Sequence, residues 1–332
     1  MITPAVLSQV IFQVKTMPKY TLLLLALSGF ALAQQGSVSG PVAGFVFDPS
    51  VQALRPLLGI AGAATVGDPI SSGYQLTGAY VAPRQDSVFA IAADGSTHYF
   101  KLSSATLSEV GIAALPAQPE RIAFSPSGTA AVLYSNGRAQ MVTGLPGSPA
   151  FAGSVELGAG PRGVHPTSLA VSDDGVYLLF AVGGSVQLAS QSGGVRNVMP
   201  AGEHASVAFA PGGYNAAVAA RGTGAVLISD VPGASAQQTL TAGDQPFQIV
   251  AGVSFSADGK LLFVASAAAQ SVVTLDMAGN RTDVACNCSP AELTPMANLF
   301  RLNELGAGPL WLVNAGSSPV SIVFVPALTA AQ

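Results

Sequence analysis

The stretch that decides the fold is Phe255-Ser-Ala-Asp-Gly259, and the apolar run Lys260-Leu-Leu-Phe-Val-Ala-Ser266 follows it directly. The same phrase, an apolar residue and then a polar turn that ends in Gly, recurs as Phe124-Ser-Pro-Ser-Gly128, Val171-Ser-Asp-Asp-Gly175 and Phe209-Ala-Pro-Gly-Gly213. After each copy come a second apolar run, another turn and a third run. Short runs joined in this way predict β-hairpins, because tight turns need a positive φ that Gly adopts without strain.

The spacing of these copies predicts the architecture. Weaker copies begin at Phe47, Val81 and Phe300, which makes seven in all. The 253 residues from Phe47 to Phe300 contain six intervals, so the mean period is about 42 residues, as is typical of β-propeller blades. We therefore expect an all-β chain folded as a β-propeller of seven blades, with six or eight as alternatives because the end units are irregular. An array of immunoglobulin-like sandwiches is disfavoured, since one period runs through the repeats without a linker.

The last unit suggests how the ring closes. It shows only two clear strands, Leu310–Val313 and Val320–Val325, so we expect it to supply fewer strands than a full blade. Pairing of residues 36–47, or of the C-terminal strand at 319–326, across the termini would then complete the ring and remove exposed sheet edges.

Composition excludes several classes of protein. The chain has 332 residues, of which 49% are hydrophobic and 9% charged, so it does not resemble a disordered chain. After residue 33 no run approaches about 18 uninterrupted apolar residues, and no transmembrane helix is expected. Beyond that point the only lysines are Lys101 and Lys260, and the arginines are scattered. Nucleic-acid binding is not expected, because phosphate recognition needs clustered cations.

The N-terminus has the pattern of an export signal. Lys15 and Lys19 precede the apolar run Leu22–Leu27, and Ala31-Leu-Ala33 provides the small residues of a cleavage site. Met17 is an alternative start, because the segment from Met17 onwards is a complete short signal by itself.

These features divide the chain into a signal peptide at 1–33 and a single propeller domain at 34–332. No Cys follows the small residues, so a lipoprotein anchor is not expected. The mature protein is expected to be secreted, periplasmic or held at the cell surface.

The repeat resembles one found in known propellers. The segment Phe255–Ser266, followed by Ser271-Val-Val-Thr-Leu-Asp276, resembles the repeat with a Tyr-Val-Thr-Asn core in bacterial surface-layer and lactonase-like seven-bladed propellers. That core reads Phe263-Val-Ala-Ser266 here, and the Trp-Asp ending of the otherwise similar WD repeats is absent. The resemblance implies a seven-bladed propeller and, by analogy of fold alone, a lactonase-like or other hydrolytic activity.

Both ends of the domain resemble secreted propeller proteins of soil bacteria that have no assigned chemistry. The segments that carry this likeness are Gly44-Phe-Val-Phe-Asp-Pro49, Leu54-Arg-Pro-Leu-Leu-Gly59 and Cys286-Asn-Cys-Ser289. This second resemblance implies export.

Polar residues recur at one register of the repeat, ahead of the innermost strand of each blade. Loops at that register converge around the channel mouth, and a few polar groups in a concave apolar site are typical of ligand pockets. The alternative is that they are solvated loop residues around water. The candidate ligand-binding residues are Gln118, Glu120, Arg121, His165, Glu203, His204, Asp244 and Gln245.

No catalytic residues are assigned, because no nucleophile–base–acid set is apparent from spacing. His98 follows the turn Asp94-Gly-Ser in a predicted hairpin, where a surface or blade-edge position is expected. The pair Asp173-Asp174 is expected to consist of turn residues rather than calcium ligands, since calcium needs six to eight oxygens. No metal or other cofactor is expected.

Cys286 and Cys288 are the only cysteines, with one residue between them. In an exported protein they would tend to oxidise. A local disulfide, two free thiols, and a link to a partner or a metal all stay open, although zinc would need further ligands nearby.

Taken together, the sequence favours an exported, non-enzymatic binding or scaffold propeller whose partner is an unidentified protein, small molecule or carbohydrate. A lactonase-like or other hydrolytic propeller is the alternative.

The first testable prediction concerns processing. The mature protein should begin at Gln34, because cleavage is expected after the Ala31-Leu-Ala33 pattern. N-terminal sequencing of secreted material would check this. Retention of residues 1–16 would contradict it.

Overall fold

The computed structural model describes residues 40–103, 106–157, 165–192, 194–202, 204–244 and 247–327. Its strands form seven separate antiparallel sheets in chain order, and the described ranges contain no α-helix. The predicted seven-bladed β-propeller is confirmed, and six or eight blades are excluded. No helix in the described part is long and apolar enough to cross a membrane.

The strands of the first four blades have the following bounds. Blade one contains β1 (Val42–Asp48), β2 (Ala53–Leu58) and β3 (Thr65–Val66); blade two contains β4 (Leu76–Val81), β5 (Ser87–Ala92), β6 (Thr97–Ser103) and β7 (Thr106–Glu109); blade three contains β8 (Arg121–Phe124), β9 (Ala130–Ser135), β10 (Arg138–Thr143) and β11 (Ala150–Glu156); blade four contains β12 (Ser168–Val171), β13 (Tyr177–Val182), β14 (Ser185–Ser190) and β15 (Gly194–Pro200).

The remaining three blades each have four strands. Blade five contains β16 (Ser206–Phe209), β17 (Ala216–Ala220), β18 (Gly224–Ser229) and β19 (Ala236–Thr241); blade six contains β20 (Val250–Phe255), β21 (Leu261–Ser266), β22 (Ser271–Asp276) and β23 (Arg281–Ala285); blade seven contains β24 (Thr294–Met296), β25 (Leu299–Arg301), β26 (Leu310–Asn314) and β27 (Ser321–Val325).

The seven blades belong to one compact unit, Pro41–Gln332. The predicted signal peptide at 1–33 lies outside the described residues, so its boundary stays a prediction.

The ring does not close as the sequence suggested. In the described residues β1 pairs only with β2 and β27 only with β26, so no blade is assembled from both termini. Blade seven has four strands, and blade one is the incomplete blade. The prediction was wrong because β24 and β25 are only three residues long and joined by a tight turn, which leaves no recognisable apolar run.

Side-chain packing closes the ring instead. Val46 and Leu57 of blade one share a buried cluster with Leu299, Leu310 and Leu312 of blade seven. Burial of apolar side chains is non-directional, so the two sheets can join face to face without sharing a strand.

Blade five shows why the apolar runs do not alternate with polar residues. Every residue of Ala216–Ala220 is buried. Ala217 and Ala219 pack with Leu262 on the side of blade six, while Ala216 and Val218 pack on the side of blade four. Both faces of the sheet are therefore covered, as expected for a blade between two neighbours.

Inner strands have one edge that faces the channel and has no strand partner. Serines from the neighbouring blade satisfy part of this edge: the Val207 N–H donates to Ser168 Oγ at 3.1 Å, and the Val253 N–H donates to Ser206 Oγ at 3.1 Å. Buried backbone groups need such partners, and here they also bind adjacent inner strands to each other.

Asp173 joins three blades at the end of the ring where the inner strands finish. Its Oδ1 accepts hydrogen bonds from the Ser127 N–H at 2.8 Å and the Ser127 hydroxyl at 2.6 Å, both in blade three. Its Oδ2 accepts the Gly212 N–H of blade five at 2.9 Å. The next-but-one residue, Gly175, has a φ of +72° and packs so closely that a Cβ would collide with Thr143.

The second prediction tests this connection. Asp173→Ala should lower the free energy of unfolding by about 2–3 kcal/mol, because each lost hydrogen bond contributes roughly 1 kcal/mol. The matched control is Asp258→Ala, since Asp258 accepts only from Ser256 and Lys260 in its own turn. Asp258→Ala should lower the free energy of unfolding by roughly 1–2 kcal/mol, because it removes two hydrogen bonds of roughly 1 kcal/mol each. Urea unfolding followed by circular dichroism would measure both, and equal losses would contradict the role of Asp173 between blades.

Candidate functional site

The inner strands of all seven blades line a central channel with a volume of about 780 Å³. Apolar side chains form much of the wall, including Phe45, Phe124, Phe209 and Phe255. We call the end at which the inner strands begin the channel mouth. The acidic, basic and histidine residues that line the channel in the described ranges lie at this mouth: Glu120, Arg121, His204, Glu292, Arg301 and Glu304.

The opposite end is tied together by the turn between β4 and β5. The Phe45 N–H of blade one donates to Gln85 Oε1 at 2.7 Å, and the Ala297 N–H of blade seven donates to the Pro83 carbonyl at 2.7 Å. A turn of blade two therefore contacts two other blades, one of them not its neighbour.

Three of the predicted residues, Glu120, Arg121 and His204, line the mouth. Glu120 and Arg121 lead into β8, and His204 leads into β16, so the convergence of these loops places residues of different blades together. His204 has a φ of +58°, in the left-handed region.

His165 stands beside this group, on the rim. Its Nδ1 lies 2.9 Å from Glu120 Oε2 and 3.3 Å from the Tyr134 hydroxyl, and its side chain is 60% exposed. Glu120 is held from its other oxygen, Oε1, which accepts the Asn136 N–H at 2.9 Å. The structure thus forms a carboxylate–imidazole pair whose imidazole Nε2 has no hydrogen-bond partner among the described residues.

Two predicted residues do not line the channel. Gln118 is exposed, and its backbone N–H donates to the Gly95 carbonyl at 3.0 Å. Asp244 is paired with Arg281 at 2.6 Å, and Arg281 in turn pairs with Asp283 on the outer strand of blade six. The remaining two, Glu203 and Gln245, lie outside the described residues.

Blade seven contributes mouth residues that the sequence argument missed. Arg301 Nε lies 2.7 Å from Glu292 Oε1 and Arg301 Nη2 lies 3.0 Å from Oε2, so the guanidinium clasps the carboxylate with two hydrogen bonds. The Arg301 and Glu292 side chains are only 16% and 23% exposed. The available signal is that Glu292 precedes its inner strand as Glu120 does, but the repeat copy at Phe300 lies in β25 and so does not mark the inner strand of blade seven.

Arg121 differs from Arg301 in that no carboxylate of the described residues contacts its guanidinium. It is exposed, and none of the residues that the structure describes forms an ion pair or hydrogen bond with its guanidinium. A cation at the mouth of an apolar channel is therefore available to a ligand.

Tyr80 completes the group that Arg121 faces. Burial raises the pKa of the Tyr80 phenol, the Glu304 carboxylate raises it further, and Arg121 opposes them. All three side chains line the channel. The phenol is consequently protonated at neutral pH and can donate a hydrogen bond.

The two cysteines follow β23, in the connection that leads to β24. Their sulfur atoms are within bonding distance and their Cα atoms are 5.0 Å apart, while Cys286 is buried against Leu293 and Phe300. A local disulfide agrees with this placement, and its presence in the protein stays a prediction.

No family model matches the chain, and no curated protein matches it in sequence. The fold is similar to solved structures. A candidate 6-phosphogluconolactonase from Bacteroides fragilis is 15% identical with a TM-score of 0.57, over 86% of this chain and 94% of its own. The periplasmic gluconolactonase of Pseudomonas aeruginosa is 16% identical with a TM-score of 0.57, over 86% and 96%.

A third similar structure is virginiamycin B lyase from Staphylococcus aureus, which is 13% identical with a TM-score of 0.55 over 76% of this chain and 86% of its own. At identities this low the likeness establishes the fold alone, because one fold carries many chemistries.

The third prediction concerns the ion pair between Arg301 and Glu292 in blade seven. Arg301→Gln should lower the free energy of unfolding by about 1–3 kcal/mol, because it leaves the half-buried Glu292 carboxylate without its counter-charge. The double change Arg301→Gln with Glu292→Gln should recover part of that loss. The control Arg84→Gln breaks a more exposed pair with Asp86 and should cost at most about 1 kcal/mol. Chemical denaturation would measure all three, and no recovery in the double variant would contradict the pairing.

Proposed function

We propose that this protein is an exported binding propeller whose channel mouth holds a small anionic ligand without catalysing a reaction on it. Export rests on the signal-like segment at 1–33, and the ligand site rests on the geometry of the mouth.

The observation that carries the proposal is the unpaired guanidinium of Arg121. The same apolar channel is also lined by a phenol donor, Tyr80, and by an imidazole, His204. A guanidinium presents five N–H donors in a planar fork that fits a carboxylate or a phosphate. Arg301 cannot take this role, because Glu292 already occupies its fork.

The size of the channel suits a small ligand. Its volume of about 780 Å³ lies in the range of about 300–1,000 Å³ that is usual for small-molecule pockets. A hydroxylated carboxylate would combine the anion for Arg121 with hydroxyl groups for Tyr80 and the carboxylate of Glu304.

A lactone hydrolase acting at the same mouth is the second candidate. The carboxylate of Glu120 orients the imidazole of His165 and leaves Nε2 free, which is the arrangement of a general base that could activate water. The lactonase names of two proteins with a similar fold support this candidate only by analogy.

The fourth prediction separates these functions. Melting of the protein with 6-phosphogluconate, gluconate and neutral glucose should show a rise of a few degrees with an anion and none with glucose, because a ligand specific to the folded state raises stability. Arg121→Gln should abolish the rise. The control is Arg221→Gln, since Arg221 is an exposed arginine outside the channel lining.

A shift that survives Arg121→Gln, or no shift with any anion, would overturn the proposal. Proton release from gluconolactone would be measured in parallel. Hydrolysis above the uncatalysed rate that is lost in His165→Gln would favour the second candidate.

A further inference from the structure

A second polar cluster lies in the outer part of blade two, and none of its members lines the channel. It consists of Ser96, in the turn between β5 and β6, His98, in β6, and Glu109, at the end of β7. Ser96 and His98 are two residues apart, so their side chains project on the same side of the strand. The antiparallel pairing of β6 with β7 brings Glu109 alongside.

The three side chains form a continuous chain of hydrogen bonds. The Ser96 hydroxyl lies 2.7 Å from His98 Nε2, and His98 Nδ1 lies 2.7 Å from Glu109 Oε1. Tyr74 fixes the arrangement, because its ring stacks on the imidazole with centroids 3.9 Å apart and its hydroxyl donates to Glu109 Oε2 at 3.1 Å. The His98 side chain is only 15% exposed.

The carboxylate dictates the tautomer of the imidazole. Glu109 is an acceptor, so His98 Nδ1 carries the proton, and Nε2 of the neutral ring is an acceptor. The single proton of the Ser96 hydroxyl then has two acceptors within reach, Asp94 Oδ1 at 2.6 Å and His98 Nε2 at 2.7 Å, and it must turn to Nε2 for the serine to be activated. The hydrogen bond from His98 also lowers the pKa of Glu109, so this carboxylate is ionised at neutral pH. A hydroxyl beside a base that a third group orients is the arrangement of an activated nucleophile.

We propose that Ser96 is a nucleophile that His98 activates and Glu109 orients, and that it is acylated by activated esters. Ser96 Oγ attacks the ester carbonyl carbon while its proton passes to His98 Nε2. The carbonyl–alkoxy bond then breaks, and the leaving group takes that proton. Water hydrolyses the acyl-serine by the same route, with its proton passing through Nε2 back to Ser96 Oγ. This activity is independent of the channel mouth.

The surroundings of Ser96 limit the substrate class. The Gly95 N–H donates to the Ala92 carbonyl and the Ser96 N–H donates to Asp94 Oδ1 at 2.9 Å, so neither is free to stabilise an oxyanion. Loss of one oxyanion donor typically costs about 100- to 1,000-fold in rate. Only acyl donors with a good leaving group, such as aryl esters, should therefore react.

The chain supplies an internal control for this serine. Asp94 Oδ1 accepts the Ser96 N–H and hydroxyl at 2.9 and 2.6 Å, and Asp48 Oδ1 accepts the N–H and hydroxyl of Ser50 at the same two distances. Ser50 is more exposed than Ser96 but has no histidine beside it. Selective reaction at Ser96 would therefore be due to the imidazole rather than to exposure or to the aspartate.

The fifth prediction uses a fluorophosphonate probe and p-nitrophenyl acetate on the full chain. Mass spectrometry should find the fluorophosphonate adduct on Ser96 and not on Ser50. His98→Gln should slow labelling on the order of 100-fold, the usual lower range for a general base. Glu109→Gln should slow it less, since the imidazole remains, and Ser50→Ala should leave it unchanged.

Circular dichroism and melting temperature would show whether each variant keeps the fold, and Ser96→Ala, a small change in a turn, provides a second test. Release of p-nitrophenolate should fall to the buffer rate in Ser96→Ala. The proposal is overturned if the wild-type protein is not labelled at Ser96, if Ser50 is labelled as fast, or if a folded His98→Gln variant is labelled at the wild-type rate.

Discussion

The unpaired edge of the inner strands is the constraint on which this structure depends. A strand that lines a channel has a sheet partner on one side only, and its other edge carries backbone groups that must still be satisfied. Here side chains of a neighbouring blade meet that need, as Ser168 does for Val207 and Ser206 does for Val253. The same bonds fix the spacing between inner strands, so the channel's width is a consequence of its own hydrogen bonding.

This constraint also explains how the ring can close without a shared strand. Each blade is complete within its own stretch of chain, and what remains is to cover two apolar faces, one on blade one and one on blade seven. The cluster that includes Val46 and Leu310 does this. The bond from Phe45 to Gln85 then satisfies the inner edge of the incomplete blade. Closure therefore combines non-directional burial with two hydrogen bonds to the turn of blade two, one from blade one and one from blade seven.

The sequence predicts a strand well where the turn and the apolar run beside it are both long enough to be recognised. The apolar runs Ser87–Ala92 and Thr97–Leu102 flank an Ala-Asp-Gly-Ser turn and predict a hairpin; β5 has the bounds of the first run, and β6 is one residue longer than the second. Blade seven was misread because β24 and β25 have three residues each, too few to show a period. Chain position alone could not reveal that packing, rather than strand exchange, closes the ring.

The same limit applies to the candidate site residues: the repeat predicts some of them and not others. The repeat predicts Glu120 and His204, because each copy marks an inner strand and therefore also marks the loop residues that precede that strand at the mouth. It cannot find Arg301, which reaches the mouth from the second strand of its blade. Nor can spacing reveal the array of Ser96, His98 and Glu109, since Glu109 comes from another strand and only the sheet register brings it to the imidazole.

The two polar clusters differ in what holds them together. The mouth is lined by Arg121, His204 and Arg301, which belong to blades three, five and seven, so its geometry exists only while the ring is closed. Ser96, His98 and Glu109 belong to one blade, and Tyr74 comes from the segment just before it. Local opening in proteins follows such units. Loosening of the contact between blades one and seven would therefore disperse the mouth first, while the cluster of blade two keeps its hydrogen bonds until its own sheet opens.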